Sequence, residues 1–268
     1  MRAILLTSTF RRHQFVANTV AEGCDLAGVW QEEKTFQPER YANDAADEDV
    51  IQRHFAARDA SEAQYFAADA GLRLRPGAMH RQVAGGRCSD SAEVALMAAA
   101  RPDVVLVFGT GILREPLLSV FGGRIINIHL GLSPYYRGAG TNFWPLVNRE
   151  PEYVGATIHY LDAGIDTGPI ISQARPLIER GDGPHDLGNK TIVAAAHALL
   201  RAAAAHTSGV VRAVPQTGEG KLYQRKDFNA DAVRSLYRNF ETGMIDEYLA
   251  ARHARDAALR LVQPERVA

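Results

Sequence analysis

Residues 103–108 read Asp-Val-Val-Leu-Val-Phe, a continuous apolar run that leads directly into a Gly-Thr-Gly turn. A strand with apolar side chains on both faces has to be covered on both faces, as the central strands of parallel sheets are. Other apolar segments, at residues 3–6 and 26–30, alternate with segments of helical spacing. This alternation predicts an α/β fold with an open, mostly parallel sheet.

The spacing of apolar residues divides the rest of the chain into further elements. Strands are predicted at 124–129, 154–160 and 170–176, and helices at 10–22, within 50–70, and at 91–100, 115–120, 142–148 and 187–206. Residues 31–49 are predicted to form a loop, and Thr141 to cap the helix that follows it. After about residue 208 the pattern changes to a short strand at 210–214 and helices between 231 and 261. We therefore expect a main domain over residues 1–207 and a small, mainly helical C-terminal appendage over residues 208–268.

Composition excludes several classes of function. The formal net charge of the 268 residues is −1, which gives no electrostatic reason to bind nucleic acid or an anionic membrane. Two cysteines, Cys24 and Cys88, are too few for a disulfide framework or a zinc site. The apolar run after Met1 is too short for a signal peptide, and no run is long enough for a membrane span. These features predict a cytoplasmic globular protein without a metal centre.

Asn127 and His129 stand two residues apart in an apolar segment, so both point to the same face of one strand. Ile126 and Ile128 then point to the opposite face, into a core. Polar side chains at such positions are costly unless they have partners or a function. Asp166, which follows in a glycine-rich loop, is a candidate partner. An amide, an imidazole and a carboxylate together suit acyl transfer, in which an oxyanion is held and a proton is moved.

The segment from about Asp103 to Gln173 resembles the folate-dependent formyltransferase family, which includes glycinamide ribonucleotide, methionyl-tRNA and sugar-nucleotide N-formyltransferases. Asn127-Ile128-His129 matches the Asn-x-His motif of this family, and residues 132–138 resemble its Leu-Pro-x-x-basic-Gly loop. Residues 155–159 and 164–171 match the sequence leading into and through its aspartate loop. Each motif alone is weak, but together their order and spacing are specific. The resemblance implies the Rossmann-like formyltransferase fold, with residues 1–207 as the catalytic domain.

The resemblance also implies a role for each of the three polar residues. His129 would be the catalytic histidine that hydrogen-bonds the formyl oxygen as it becomes an oxyanion, and Asn127 would donate its side-chain amide to the same oxygen. Removal of one such donor typically costs about 2.7–4 kcal/mol in the transition state. Asp166 would favour the imidazolium, orient the ring and pass the proton of the amine through a water. The nucleophile would be the amine of the substrate, so no serine or cysteine nucleophile is needed.

A pocket for 10-formyltetrahydrofolate, the formyl donor, follows from the same resemblance. It would lie between the turn after residues 103–108 and the aspartate loop. Its residues would be Phe108, Gly109, Thr110, Gly111, Ile112, Leu113, Asp162 and Gly164. Glycines there let backbone groups approach a flat heterocycle closely, and ligands bind open α/β sheets at the carboxyl ends of parallel strands. A plain strand-to-helix turn would favour glycine at the same positions, so this alternative stays open.

Other polar residues near these motifs have an ordinary structural explanation. Asp162 is expected to brace its loop through Asx-type hydrogen bonds, and His159 to be a structural neighbour of the site. Solvent-facing surfaces are expected for the basic segments 11–13 and 221–226. The pair Leu130-Gly131 departs from the family pattern, which usually has Pro or Ala and then Ser after the histidine.

The leading interpretation is an N-formyltransferase that moves the formyl group of 10-formyltetrahydrofolate to a primary amine of a small molecule, such as an amino-sugar nucleotide or a specialised metabolite. Methionyl-tRNA is a less favoured acceptor, because that subgroup has a larger C-terminal β-barrel and a basic surface. Hydrolysis of 10-formyltetrahydrofolate, and a binding protein without turnover, are the alternatives. The appendage would cover the acceptor site or form a homodimer.

Overall fold

The computed structural model describes residues 1–34, 37–162, 164 and 166–263. Its strands are β1 Arg2–Ser8, β2 Asp25–Glu32, β3 Met79–Val83, β4 Val104–Phe108, β5 Ile125–His129, β6 Tyr136–Gly138, β7 Ala156–Tyr160, β8 Ile170–Ala174 and β9 Lys221–Tyr223. Its α-helices are α1 Arg11–Gly23, α2 Ala45–Tyr65, α3 Ser91–Ala99, α4 Leu117–Phe121, α5 Trp144–Val147, α6 Pro184–Thr207, α7 Ala230–Glu241 and α8 Met244–Ala257. Short 3-10 turns lie at Pro38–Tyr41, Ala67–Asp69, Pro151–Tyr153 and Arg225–Asp227.

Seven of the strands in the described part of the chain form one sheet in the order β3-β2-β1-β4-β5-β7-β8. The pairings from β3 to β5 are parallel, while β7 pairs antiparallel with β5 and with β8. The apolar run at 103–108 becomes β4, which is buried at every position in the middle of the parallel part. The predicted α/β fold with an open, mostly parallel sheet is therefore confirmed.

Both faces of the sheet are covered by helices. On one face, apolar residues of α1 and α6 pack against β1, β4, β5 and β7, with Ile126 and Ile128 of β5 among them. On the other face, α3 and α4 pack against Leu6, Val105 and Val107. The expected burial of Ile126 and Ile128 is thus observed, and it leaves Asn127 and His129 on the face of α3 and α4. There, at the carboxyl end of β5, the two side chains line a cavity.

Several predicted elements are wrong in detail. The loop at 31–49 is shorter than expected, because β2 extends to Glu32 and α2 begins at Ala45, where the side chain of Asp44 accepts a hydrogen bond from Asp47 N at 2.8 Å. Strand β3 has no counterpart in the predictions, since its side chains are mostly exposed at the sheet edge. Thr141 caps no helix, because its hydroxyl donates to Leu130 O instead.

The chain after residue 208 contacts the rest of the protein in two ways. Helices α7 and α8 pack apolar side chains, among them Leu236 and Tyr248, against α5 and the start of α6. The predicted strand at 210–214 is wrong, because Val214 alone forms an isolated bridge to Ile170. Strand β9 was also unforeseen and pairs in parallel with β6, in the loop that follows β5.

The division into domains at residue 208 stays a prediction. Among the described residues, no helix is both long and apolar enough to cross a bilayer.

Candidate active site

Asn127 and His129 lie side by side on one face of β5, and the next strand places a second histidine beside them. β5 and β7 are antiparallel with Asn127 opposite His159, so the two side chains meet across the pair. The amide nitrogen of Asn127 donates to His159 Nε2 at 3.0 Å. His159 Nδ1 lies 2.8 Å from Tyr160 O, a carbonyl that can only accept, so Nδ1 carries the proton and Nε2 accepts from Asn127.

The loop between β7 and β8 brings Asp166 to these three side chains. Asp166 Oδ2 accepts from His129 Nδ1 at 3.1 Å, and Asp166 Oδ1 lies 3.4 Å from Asn127 Nδ2 and 3.5 Å from His159 Nε2. The structure therefore brings together the three predicted residues Asn127, His129 and Asp166. It also shows that His159, expected to be a structural neighbour, joins Asn127 to Asp166.

Asp166 remains ionised in this site. Burial alone would raise the pKa of its carboxyl group, but the hydrogen bond from His129, with the His159 ring close by, outweighs burial and holds the pKa well below its usual value. The carboxylate therefore stays negative throughout the neutral and mildly acidic range. A fixed negative charge 3.1 Å from His129 Nδ1 keeps Nδ1 as the proton-bearing nitrogen, so Nε2 is left for a substrate.

A cavity of about 450 Å³ opens beside these side chains, a size typical of small-molecule sites. Asn127, His129 and Asp166 line it, and so does every residue predicted for the folate pocket: Phe108, Gly109, Thr110, Gly111, Ile112, Leu113, Asp162 and Gly164. Thr141, Leu161 and Arg225 also line it. The site thus lies at the carboxyl ends of β4 and β5, where open α/β sheets bind their ligands.

Two glycines shape the turn after β4. Gly109 has a φ of +74°, and a Cβ there would lie 2.3 Å from Nε2 of the buried His13. Gly111 donates its N–H to the carboxylate of buried Glu32 at 2.6 Å, which fastens the turn to the end of β2. That N–H is therefore directed away from the cavity.

The prediction that residues 11–13 form a solvent-facing surface is wrong. His13 packs under the turn after β4, and Arg12 pairs with Glu62 at 2.5 Å.

Tight packing also accounts for the departure from the family pattern after His129. A Cβ at Gly131 would lie 2.5 Å from the Thr141 side chain and 2.9 Å from His129 Nε2. Thr141 Oγ1 itself lies 3.4 Å from His129 Nε2. The absence of a side chain at Gly131 thus lets Thr141 approach the catalytic candidate. The sequence analysis predicted Thr141 only as a helix cap, because its contact with His129 depends on the path of the loop.

The aspartate loop is braced as the sequence predicts. Asp162 Oδ1 accepts from Gly164 N at 3.0 Å and from the Thr167 hydroxyl at 2.8 Å, which is an Asx-type arrangement. A Cβ at Gly164 would lie 2.0 Å from Thr167 Oγ1, so only glycine allows the loop to close this tightly. The quoted motif residues Ala163 and Ile165 lie outside the described residues.

Arg225 was expected to lie on a solvated turn, yet it lines the cavity from the C-terminal part of the chain. It is the one Lys or Arg among the described residues that line this cavity. Lys34 Nζ lies 3.5 Å from Thr110 O at the same turn. Burial lowers the pKa of Lys34, Glu32 raises it, and the charges of Arg12 and Arg225 lower it further. The cavity therefore carries negative charge at Asp162 and Asp166 and positive charge near Thr110.

A second cavity of about 260 Å³ lies behind Leu130, a residue that it shares with the first. His54 of α2, His185 of α6 and Leu236 of α7 line it. Both histidines contact the Tyr237 hydroxyl, at 3.2 and 3.1 Å. Burial, reinforced by nearby positive charge, lowers the pKa of His54 to about 3 and that of His185 to about 4. Both rings are therefore neutral at pH 7.

These two histidines should make the fold sensitive to acid. Above about pH 6.5 both rings are neutral in the folded and unfolded chains, so they add no pH dependence. Below that pH the unfolded chain binds protons that the folded chain cannot, and stability falls until the pH reaches the folded-state pKa values. His54 alone should cost about 2 kcal/mol at pH 5 relative to pH 7.5. Urea unfolding at the two pH values measures this loss.

His54→Phe should reduce that loss, because it keeps an aromatic ring among Phe55, Phe143 and Phe228 without a group to titrate. The matched control is His253→Gln, which changes an exposed histidine and should leave the pH dependence as in the wild type. Equal acid sensitivity in His54→Phe and wild type would show that His54 is not the group responsible.

Comparison with known proteins agrees with this fold and site. The family model described as formyl transferase matches residues 33–203, well over half of the chain. The chain therefore belongs to the formyl transferase family. A methionyl-tRNA formyltransferase of Thermodesulfovibrio yellowstonii is 34% identical over 119 residues, which cover 44% of this chain and 38% of that protein. The chain spans less than half the length of the curated relatives that it matches.

Solved structures share the fold at low sequence identity. A sugar N-formyltransferase from a Shewanella species has a TM-score of 0.53 at 17% identity, over 85% of this chain and 78% of that one. A phosphoribosylglycinamide formyltransferase from Anaplasma phagocytophilum also has a TM-score of 0.53, at 19% identity, over 83% of this chain and 98% of that one. These two proteins act on different acceptors by name, so the likeness establishes the fold and leaves the acceptor open.

Proposed function

We propose that the protein is an N-formyltransferase that moves the formyl group of 10-formyltetrahydrofolate to a primary amine of a small molecule. The observation that carries this proposal is the convergence of Asn127, His129 and Asp166 at one end of the cavity, with His129 Nδ1 held at 3.1 Å from Asp166. Membership of the family indicates formyl transfer as the class of reaction. The turn after β4 lines the cavity where a flat heterocycle would bind.

The three side chains would divide the chemistry among them. The donor supplies a formyl carbon that the amine nitrogen attacks; a C–N bond forms, and the bond from the formyl carbon to the donor nitrogen breaks. His129 Nε2 and the Asn127 amide would face the formyl oxygen as its negative charge grows. Asp166 would hold the His129 ring and take the proton of the amine through a water, returning it to the departing donor nitrogen.

The cavity fits a folate donor in size and in character. Its volume of about 450 Å³ lies in the range of small-molecule sites. Gly109 and Gly164 line the cavity, so main-chain groups are available where the ring would lie. Arg225 and Lys34 add positive charge on the Thr110 side, where the carboxylates at the tail of a folate would be attracted.

A small-molecule acceptor suits the charge of the chain. The formal net charge of −1 gives no overall electrostatic attraction to tRNA. The likeness to two methionyl-tRNA formyltransferases covers 38% and 49% of their length and leaves the acceptor open. We propose an amino-sugar nucleotide or an amine of specialised metabolism as the acceptor class. The second cavity behind Leu130 offers room next to the site for the body of such an acceptor.

A panel of amines tests this function directly. The purified protein is mixed with 10-formyltetrahydrofolate and each amine, and both tetrahydrofolate release and the formylated product are measured. Tetrahydrofolate and an N-formyl product that appear together with one amine class support the proposal. Formate release without any amine would instead identify a hydrolase, and folate binding without turnover would identify a binding protein.

Folate binding should protect the turn after β4 from hydrogen exchange. The backbone of Gly109–Leu113 lines the cavity, so a bound folate should slow exchange of its amide hydrogens several-fold. Hydrogen-exchange mass spectrometry with and without 5-formyltetrahydrofolate, a stable analogue of the donor, measures this change. The edge strand β3 lies away from the cavity and provides an internal control. Protection confined to other regions would place the folate elsewhere.

A further inference from the structure

A segment beyond the family match reaches the candidate active site. We call residues 214–223 the C-terminal strap. At one end, Val214 and Ile170 exchange two backbone hydrogen bonds of 2.8 Å, which fix the strap to β8. At the other end, β9 pairs with β6 in the loop after β5. The strap therefore crosses from the strand after Asp166 to the loop after His129, whereas the family match ends at residue 203.

Gln216, in the middle of the strap, holds the backbone of the aspartate loop. Its Nε2 donates to Asp166 O and to Gly168 O, both at 2.8 Å. Both partners are carbonyl oxygens that can only accept, so the side-chain nitrogen must face them and both of its hydrogens are used. Gln216 is half-buried and contacts Asp166 through the main chain, not through the carboxylate.

Asp166 needs such support because its backbone is unusual. Its φ is +52°, in the left-handed region that residues other than glycine seldom adopt. A backbone of this kind persists when its surroundings hold it in place. This conformation sets the direction of the carboxylate. Its oxygens lie 3.1 Å from His129 Nδ1 and 3.5 Å from His159 Nε2. A small rotation at Asp166 would break them.

We propose that Gln216 is a positioning residue of the active site, which holds Asp166 in the conformation that places its carboxylate on His129. The proposal rests on the proposed function for its kinetic consequence, while the placement of Asp166 can be measured without any substrate. It also assigns a role to the chain after residue 203: the strap carries Gln216 to the aspartate loop, and truncation before residue 214 removes this contact.

Kinetics of two matched variants provide the first test. Gln216→Ala removes both hydrogen bonds, and Gln216→Glu keeps the shape but turns a carboxylate toward two carbonyl oxygens. Both should lower kcat about 10- to 100-fold with KM for the amine changed less than about 3-fold, because the chemistry and not the binding is disturbed. Thr217→Ala, at the exposed neighbouring position, should behave as the wild type. Near-normal kcat in Gln216→Glu would overturn the proposal.

A double-mutant cycle shows whether Gln216 acts through Asp166. If it does, Gln216→Ala should add less than about 2-fold to the loss already caused by Asp166→Asn. Two losses that multiply would mean that Gln216 acts on another part of the protein and would overturn the proposal.

Proton NMR of the histidine rings decides the placement without activity. The ring proton on His129 Nδ1, held between the ring and Asp166, should give a downfield signal in the wild type and in Thr217→Ala. It should broaden or vanish in Gln216→Ala and Gln216→Glu, as the proton becomes free to exchange with water. The proton on His159 Nδ1, bound to Tyr160 O, should persist in all four proteins and serves as the internal reference.

The two activity tests and the NMR test together separate this inference from the proposed function. If the wild type shows the His129 signal but formylates no amine, the proposed function is contradicted. The signal in the Gln216 variants then still shows whether Gln216 positions Asp166. A signal that survives in Gln216→Glu would contradict the positioning role, whatever the activity.

Discussion

His129→Ala is expected to reduce formyl transfer at least about 1000-fold while the protein stays folded. His129 lies at the end of β5 with its Nδ1 bound to Asp166 and its Nε2 left for the substrate. The variant removes the proposed hydrogen-bond donor to the developing oxyanion, together with the ring that Asp166 holds in place. Steady-state tetrahydrofolate release with the best amine of the panel measures the loss in kcat/KM.

Two comparisons make this result specific. Urea unfolding should show a modest change in stability for His129→Ala, because the ring lies at the edge of the cavity and outside the apolar core. His253→Ala, which removes an exposed histidine on α8, should retain wild-type activity. If His129→Ala kept activity within about 10-fold of the wild type, the assignment of His129 as the catalytic histidine would be wrong.

The strands of the site could be predicted because their local pattern agrees with their environment. Alternation in β5 placed Asn127 and His129 on one face and Ile126 and Ile128 on the other, as observed. The apolar run of β4 predicted a central strand for the same reason. The sequence named Asp166 only as a candidate partner, and the family resemblance supplied its role beside His129, since nothing local determines how a loop 37 positions later folds back.

Other parts of the structure depend on contacts that no local pattern records. Strand β3 is polar and exposed, so its place at the sheet edge follows from its pairing with β2 alone. The segment 210–214 has the composition of a strand but forms one bridge, because α6 ends beside it and only Val214 reaches β8. Gln216 and Arg225 are ordinary surface residues by sequence. Their positions in the site follow from the strap, whose pairing with β6 joins parts of the chain about 85 residues apart.

Asp166→Asn is expected to lower kcat about 100-fold. The carboxylate is ionised at every pH where the enzyme would work, since the hydrogen bond from His129 outweighs burial and holds its pKa well below the usual value. An amide at this position is isosteric but neutral, so the ring of His129 loses the charged partner that orients it. The effect should therefore appear in kcat more than in KM.

The wild-type pH–rate profile should contain no limb from Asp166. Asp166 contributes no change in rate between about pH 5 and 8, because it does not titrate there. Without the carboxylate the proton on His129 Nδ1 loses its acceptor, so its downfield proton NMR signal should broaden or vanish in Asp166→Asn. Asp231→Asn, at an exposed position on α7, should leave both the profile and this signal unchanged. A His129 signal that persists in Asp166→Asn would mean that Asp166 does not hold the His129 ring, and the carboxylate would then serve only to hold the loop.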